Sequence, residues 1–150
     1  MRRAGLIAGL VLLPGALGAQ AARELQIQGT GVVTATQFFG AGLGFALRSG
    51  GRTRVGLSIA VGDVQGALGG RGDILLSYHL LPYRRRGVTP YAGGGVSVVA
   101  TSDQTAEYLV IMVGVEATPG RSSGWFIEGG LGGGVLINAG MRLRFRSRRR

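Results

Sequence analysis

Along Arg54-Val55-Gly56-Leu57-Ser58-Ile59-Ala60-Val61 the odd positions are branched and apolar, and the even ones are polar or small. A period of two marks a strand with one greasy face. The same alternation sets Phe39, Ala41, Leu43, Phe45 and Leu47 against Gly40, Gly42, Gly44, Ala46 and Arg48. It sets Ile74, Leu76, Tyr78 and Leu80 against Asp73, Leu75, Ser77 and His79, and Leu109, Ile111, Val113 and Val115 against Tyr108, Val110, Met112, Gly114 and Glu116. Counting such runs predicts eight strands: Leu25 to Ala35, Phe38 to Arg48, Thr53 to Gly62, Asp73 to Leu81, Thr89 to Ala100, Tyr108 to Ala117, Trp125 to Leu131 and Leu136 to Phe145. Most approach the roughly 10 residues of a tilted membrane strand, against about 5 to 6 for strands of soluble proteins. Glycine or proline interrupts every candidate amphipathic helix.

The connections fall on two sides. Ser49 to Arg52, Pro82 to Gly87 and Thr118 to Gly124 are rich in turn residues, while Asp63 to Gly72 and Thr101 to Glu107 lie opposite, with two very short links. The expected fold class is therefore all-β, an eight-stranded antiparallel up-and-down transmembrane β-barrel over residues 22–145. A membrane barrel turns its apolar face outward. Charge placement favours that sense, because Arg48, Arg54, Asp73, Glu116, Glu128, Arg142 and Arg144 all fall on the glycine-rich face. Eight strands leave an interior just wide enough for side chains. Glycine beside bulky inward groups then accounts for 30 glycines in 150 residues.

At the amino terminus, Met1-Arg2-Arg3 precedes the apolar run Ala4 to Leu13, which Pro14-Gly15 breaks before it is long enough to span a bilayer. Ala19-Gln20-Ala21 supplies a small-x-small cleavage pattern, so residues 1–21 are expected to be a signal peptide. Cysteine is absent, which excludes disulfides and thiolate metal sites, and the single histidine leaves little for a His-based centre. No cofactor is expected. The net charge of +10 comes entirely from arginine on the basic side.

Aromatic residues cluster near strand ends, as in the interfacial girdles of membrane barrels. Tyr83, Tyr91, Trp125 and Phe145 are expected at the interface beside the turn-rich connections, and Phe38, Phe39 and Tyr108 at the other, with Tyr78 a mid-strand exception.

These residues resemble the small eight-stranded outer-membrane barrels of Gram-negative bacteria, the group containing the OmpA transmembrane domain, OmpX and the opacity-type proteins. The resemblance spans the chain from residue 22. Its most specific piece is Ile137 to Phe145, in which Ile137, Ala139, Met141, Leu143 and the terminal aromatic Phe145 look like the family's carboxy-terminal assembly signal. Thr89 to Val96 and the start Trp125-Phe126-Ile127-Glu128 are also similar. The chain departs from the pattern by extending a basic tail, residues 146–150, past the aromatic. The resemblance implies outer-membrane location, lipid and the barrel assembly machinery as partners, and both chain ends on the periplasmic side.

Placing Trp125 opposite Phe145 sets Glu128 against Arg142, and Glu116 ends its strand on the same side as Arg48 and Arg54. Arg48, Arg54, Glu116, Glu128, Arg142 and Arg144 are thus expected to form a lumenal ion-pair network that plugs the barrel rather than gating it. Ser77 and His79 share one face and could pair a nucleophile with a base, but spacing supplies no orienting carboxylate, so no enzyme is expected. Arg71-Gly72-Asp73 matches an adhesion tripeptide, but in a chain rich in arginine and glycine the expected reading is chance or a simple loop-to-strand corner. The glycine runs lack the helix and the Gly-Lys-Ser/Thr that phosphate binding needs. The clusters Arg84 to Arg86 and 146–150 lack interleaved aromatics, which argues against nucleic acid and leaves anionic lipid head groups or a solvated tail. The expected role is structural, envelope-stabilising or surface-interacting; a narrow solute or ion pore, a soluble lipocalin-like carrier and a lipid-modifying enzyme are the alternatives. The sequence names no small-molecule ligand.

Overall fold

The computed structural model describes residues 22–33, 37–49 and 51–146. The expected signal peptide and residues 147–150 of the basic tail lie outside these. Eight strands follow one another: β1 (Ala22–Val33), β2 (Phe38–Ser49), β3 (Thr53–Val64), β4 (Ala67–His79), β5 (Val88–Thr101), β6 (Thr105–Ala117), β7 (Ser123–Leu131) and β8 (Val135–Arg146). Each pairs antiparallel with the next, and β8 returns to β1 to close an up-and-down barrel. Closure leaves no free sheet edge, the condition for a β-structure to sit in hydrocarbon.

The strands run from nine to fourteen residues, longer than the hydrophobic alternation alone marks. The difference is greatest at the end opposite the chain termini. The loop expected over Asp63 to Gly72 contracts to a two-residue turn, Gln65-Gly66, with both residues left-handed (φ 53° and 89°). That geometry suits the twist of a tight hairpin, and Asp63 Oδ1 accepts the Gly66 N–H at 3.0 Å. β4 therefore starts at Ala67, and Gly69-Gly70-Arg71-Gly72, which carries no readable alternation, is strand. Thr101 to Glu107 likewise contracts to Ser102-Asp103-Gln104, where Thr101 N–H donates to Gln104 O at 2.8 Å.

The pleat sorts side chains into two environments. Outside, Ile59, Val61, Ile111, Val113 and Met141 are among the large apolar residues facing outward, Ile59 64% and Ile111 71% exposed. Inside lie Glu24, Gln26, Gln28, Arg48, Arg54 and their like, all buried. This reverses a soluble protein, which does not expose so continuous an apolar surface. Glycine keeps the interior packed where a ring lies over its register partner on the neighbouring strand. A Cβ on Gly114 would lie 2.7 Å from Tyr91 Cζ, and one on Gly140 would lie 2.9 Å from Phe126 Cζ.

A charge placed midway along the apolar face tests this sorting. Ile59→Arg is expected to lower the stability of the vesicle-inserted barrel by roughly 2–4 kcal/mol, measured by denaturant titration. An unchanged midpoint would mean that lipid does not cover that face.

Candidate functional site

The site is the lumen. Near the end that carries the chain termini, two carboxylates collect four guanidiniums. Glu24, inward on β1, is the register partner of Arg144 on β8, and Arg144 Nε donates to its Oε1 at 2.7 Å. Arg48 Nε reaches the same oxygen at 2.9 Å, and Arg54 Nε lies 3.1 Å from Oε2. Glu116 takes the other end of Arg48, whose Nη1 and Nη2 donate to its two oxygens at 3.2 and 3.0 Å. Arg142 joins the two acids, ion-paired with Glu116 and 4.0 Å from Glu24. Glu24 and Glu116 are both 0% exposed, so each needs its partners to offset the loss of water.

Above this layer the pairings become local. Tyr91 Oη donates to Glu128 Oε1 at 2.7 Å, and Asn138 Nδ2 donates to Oε2 at 3.1 Å. Arg71 Nε donates to Asp73 Oδ1 at 2.9 Å, Ser58 Oγ donates to Asp73 Oδ2 at 3.2 Å, and Arg71 Nη1 reaches Gly132 O. At the far end Val32, Phe38, Val64, Val99, Val110 and Leu136 form an apolar cluster across the lumen, with Tyr108 packed against it. A cavity of about 20 Å³ beside Gln26, Arg54, Glu128 and Asn138 has room for about one water.

Of the six residues expected in one network, Arg48, Arg54, Glu116, Arg142 and Arg144 meet in the lower layer. Glu128 stands apart, and the register expected for it is corrected. Trp125 faces Met141, not Phe145, and Glu128 faces Asn138, not Arg142. The cause is the tight turn after β7, which pairs Leu131 with Val135 and slides the strands by four residues. Glu24, the acid on which the layer centres, was missed although Glu24, Gln26, Gln28 and Thr30 alternate with Leu25 and Ile27 and so announce an inward polar face.

The aromatics divide. Phe39, Trp125 and Phe145 are exposed on the outer wall toward the strand ends, and Tyr83 is exposed on the connection between β4 and β5. Phe38 and Tyr91 are not interfacial: at 0% and 3% exposed they point inward. Adjacent residues of a strand face opposite ways, so Phe39 outside forces Phe38 inside. Tyr91 stacks on His79 with centroids 4.4 Å apart. Tyr108 is also inward, under the 132–134 turn, where its ring would lie 3.0 Å from a Cβ on Gly133. Tyr78, read as mid-strand, is next to the last residue of β4. Ile137, Ala139, Met141, Leu143 and Phe145 all lie on the exposed face of β8.

The structure brings a carboxylate to the Ser77 and His79 pair. Ser77 Oγ is 3.3 Å from His79 Nε2, and His79 Nδ1 is 2.9 Å from Glu116 Oε1. The order is that of a nucleophile, base and orienting acid. The surroundings oppose catalysis: all three are buried, Tyr91 covers the imidazole, and Glu116 is held by Arg48 and Arg142. Arg71 and Asp73 are equally buried and bonded to each other, so the Arg71-Gly72-Asp73 tripeptide is part of the lumen wall and not a loop corner. A lipocalin-like carrier needs an apolar interior under a polar wall; here the arrangement is inverted.

Exposed charge is also sorted. Among the described residues, Arg23, Arg52, Arg84, Arg85, Arg86 and Arg121 are exposed at the end holding the termini, and Asp63, Asp103 and Glu107 at the other.

The barrel matches solved structures along most of its length. With the N-terminal β-barrel domain of OprF from Pseudomonas aeruginosa it shares a TM-score of 0.63 at 16% identity, covering 83% of this chain and 97% of that one. Neisserial surface protein A gives 0.53 at 14% identity over 83% and 97%, and the outer membrane protein OprG from Pseudomonas aeruginosa gives 0.52 at 14% over 85% and 96%. The fold is that of the small eight-stranded outer-membrane barrels. No protein-family model and no curated protein matches the sequence, so the likeness is one of fold.

Removing the central acid tests the charged layer. Glu24→Gln leaves Arg54 and Arg144 without a carboxylate in a water-poor interior and is expected to cost about 3–5 kcal/mol. Glu107→Gln, on the exposed rim, is expected to stay within about 0.5 kcal/mol. Urea titration of the folded fraction compares them; equal effects would show that the layer does not hold the barrel.

Proposed function

We propose that this chain is a closed, non-enzymatic barrel of the Gram-negative outer membrane with a structural, envelope-stabilising or surface-interaction role, exported by way of the signal peptide at residues 1–21. The observation that carries this reading is the inversion of the barrel, apolar outside and ion-paired inside. Lipid is the medium in which such a wall is stable. Two seals support a plugged lumen over a pore: the layer around Glu24 and Glu116 at one end, and the cluster around Phe38 and Leu136 at the other. An ion crossing would have to part paired charges and then enter a dry apolar constriction.

On this reading both chain ends face the periplasm, and the outward residues Ile137, Ala139, Met141, Leu143 and Phe145 form the signal met by the barrel assembly machinery. Among the described residues the opposite rim turns tightly at Gln65-Gly66 and at Ser102 to Gln104, which favours the structural role over ligand capture by long loops.

Conductance tests the plug. In planar bilayers the purified barrel is expected to give no discrete current steps. Regular unitary steps from the unaltered chain would overturn the plugged-lumen reading and establish the pore.

A further inference from the structure

The outer wall has a depression near the end that carries the termini. An apolar groove of about 570 Å³ runs across β4 to β7, lined by Tyr78, Leu80, Pro90, Ala92, Val113 and Ile127. That volume falls within the roughly 300–1,000 Å³ of sites that take a single small molecule. Its origin lies in the register. Ala92 sits between Tyr78 and Val113, and Pro90 lies beside Val115, so two short side chains on β5 run between longer ones.

The rim beside this groove is basic and fixed. The 80–87 connection leaves β4 at the groove through Leu80 and carries Arg84, Arg85 and Arg86, all exposed. It is tied to the 118–122 connection, which carries Arg121: Gly120 N–H donates to Arg84 O at 2.8 Å, and Thr118 N–H donates to Gly87 O at 3.0 Å. Arg52 Nη1 donates to the hydroxyl of Tyr78, the ring that lines the groove, at 3.1 Å. Every exposed carboxylate among the described residues is at the far end of the barrel.

We propose that groove and rim form a binding site for one phospholipid with an anionic head group, drawn from the leaflet that the termini face. The site rests on the reading of the chain as a membrane barrel and adds the identity of a lipid it selects. One acyl chain lies along Pro90 and Ala92, and the phosphate is held by the arginines of the two joined connections. Guanidinium suits phosphate because it donates in a planar fork. Tyr78 and Tyr83 stand at the depth where amphipathic rings meet head groups. A zwitterionic lipid brings the same acyl chain, but its ammonium cancels much of the attraction to the rim.

The test uses the full chain purified from membranes in detergent and native mass spectrometry with equal amounts of dioleoyl phosphatidylglycerol and dioleoyl phosphatidylcholine. One phosphatidylglycerol per barrel is expected to be retained in preference. The combined change Arg84→Gln, Arg85→Gln and Arg86→Gln lies outside the strands and is expected to weaken retention by about fivefold per arginine removed. Ala92→Phe, which fills the groove from the lipid side, is expected to abolish the single-lipid complex. Equal retention of the two lipids, or a preference that survives the arginine changes, would overturn the site. Sensitivity to the arginines but not to Ala92→Phe would also overturn it, leaving a diffuse basic collar. Gel mobility of the same samples with and without boiling separates the two levels: a heat-shifted barrel that binds both lipids alike defeats the site alone, whereas a chain with neither heat shift nor bound lipid defeats the membrane reading beneath it.

Discussion

Closure of the hydrogen-bonded ladder is the constraint from which the rest follows. Each of the eight strands bonds to two neighbours and β8 returns to β1, so the sheet has an inside and an outside with no edge between them. The period of two then assigns every side chain to one or the other. Eight strands enclose little space, and a charged group assigned to the inside cannot reach bulk water. Glu24 and Glu116 must therefore be surrounded by Arg48, Arg54, Arg142 and Arg144, and glycine must stand where a ring such as Tyr91 lies over the neighbouring strand.

The same geometry decides what the molecule can do. A serine, an imidazole and a carboxylate lie in catalytic order at Ser77, His79 and Glu116, yet all three are buried, Tyr91 stacks on the imidazole and two arginines pair with Glu116. Chemistry needs open volume beside its reacting atoms, and the lumen is filled with its own ion pairs. What remains free to meet other molecules is the surface: an apolar belt, a basic rim at one end and a thin acidic rim at the other.

Much of this was legible in the sequence because alternation is a local signal. The eight strands, their sense and five of the six network residues follow from odd and even positions, as in Arg54 to Val61. What was not legible depends on distances along the chain. The partner of Glu128 turns on whether β7 and β8 meet through a tight turn or a longer loop, and no single residue states that. Nearness to a strand end points Phe38, Tyr91 and Tyr108 to the interface, while the parity of their positions turns them inward. β4 was begun six residues late because glycine at 69, 70 and 72 erases the pattern. Glu24 was overlooked though its parity was in plain view.

The sorting of side chains puts the apolar face outward, where lipid would cover it, and the charged face inward. Cell fractionation followed by gel mobility with and without boiling shows whether lipid covers that face, since a closed membrane barrel resists detergent until heated. Recovery in the outer membrane with a mobility that shifts on boiling is the expected result. A soluble periplasmic protein with the same mobility in both lanes would contradict it and reverse the assignment of inside and outside.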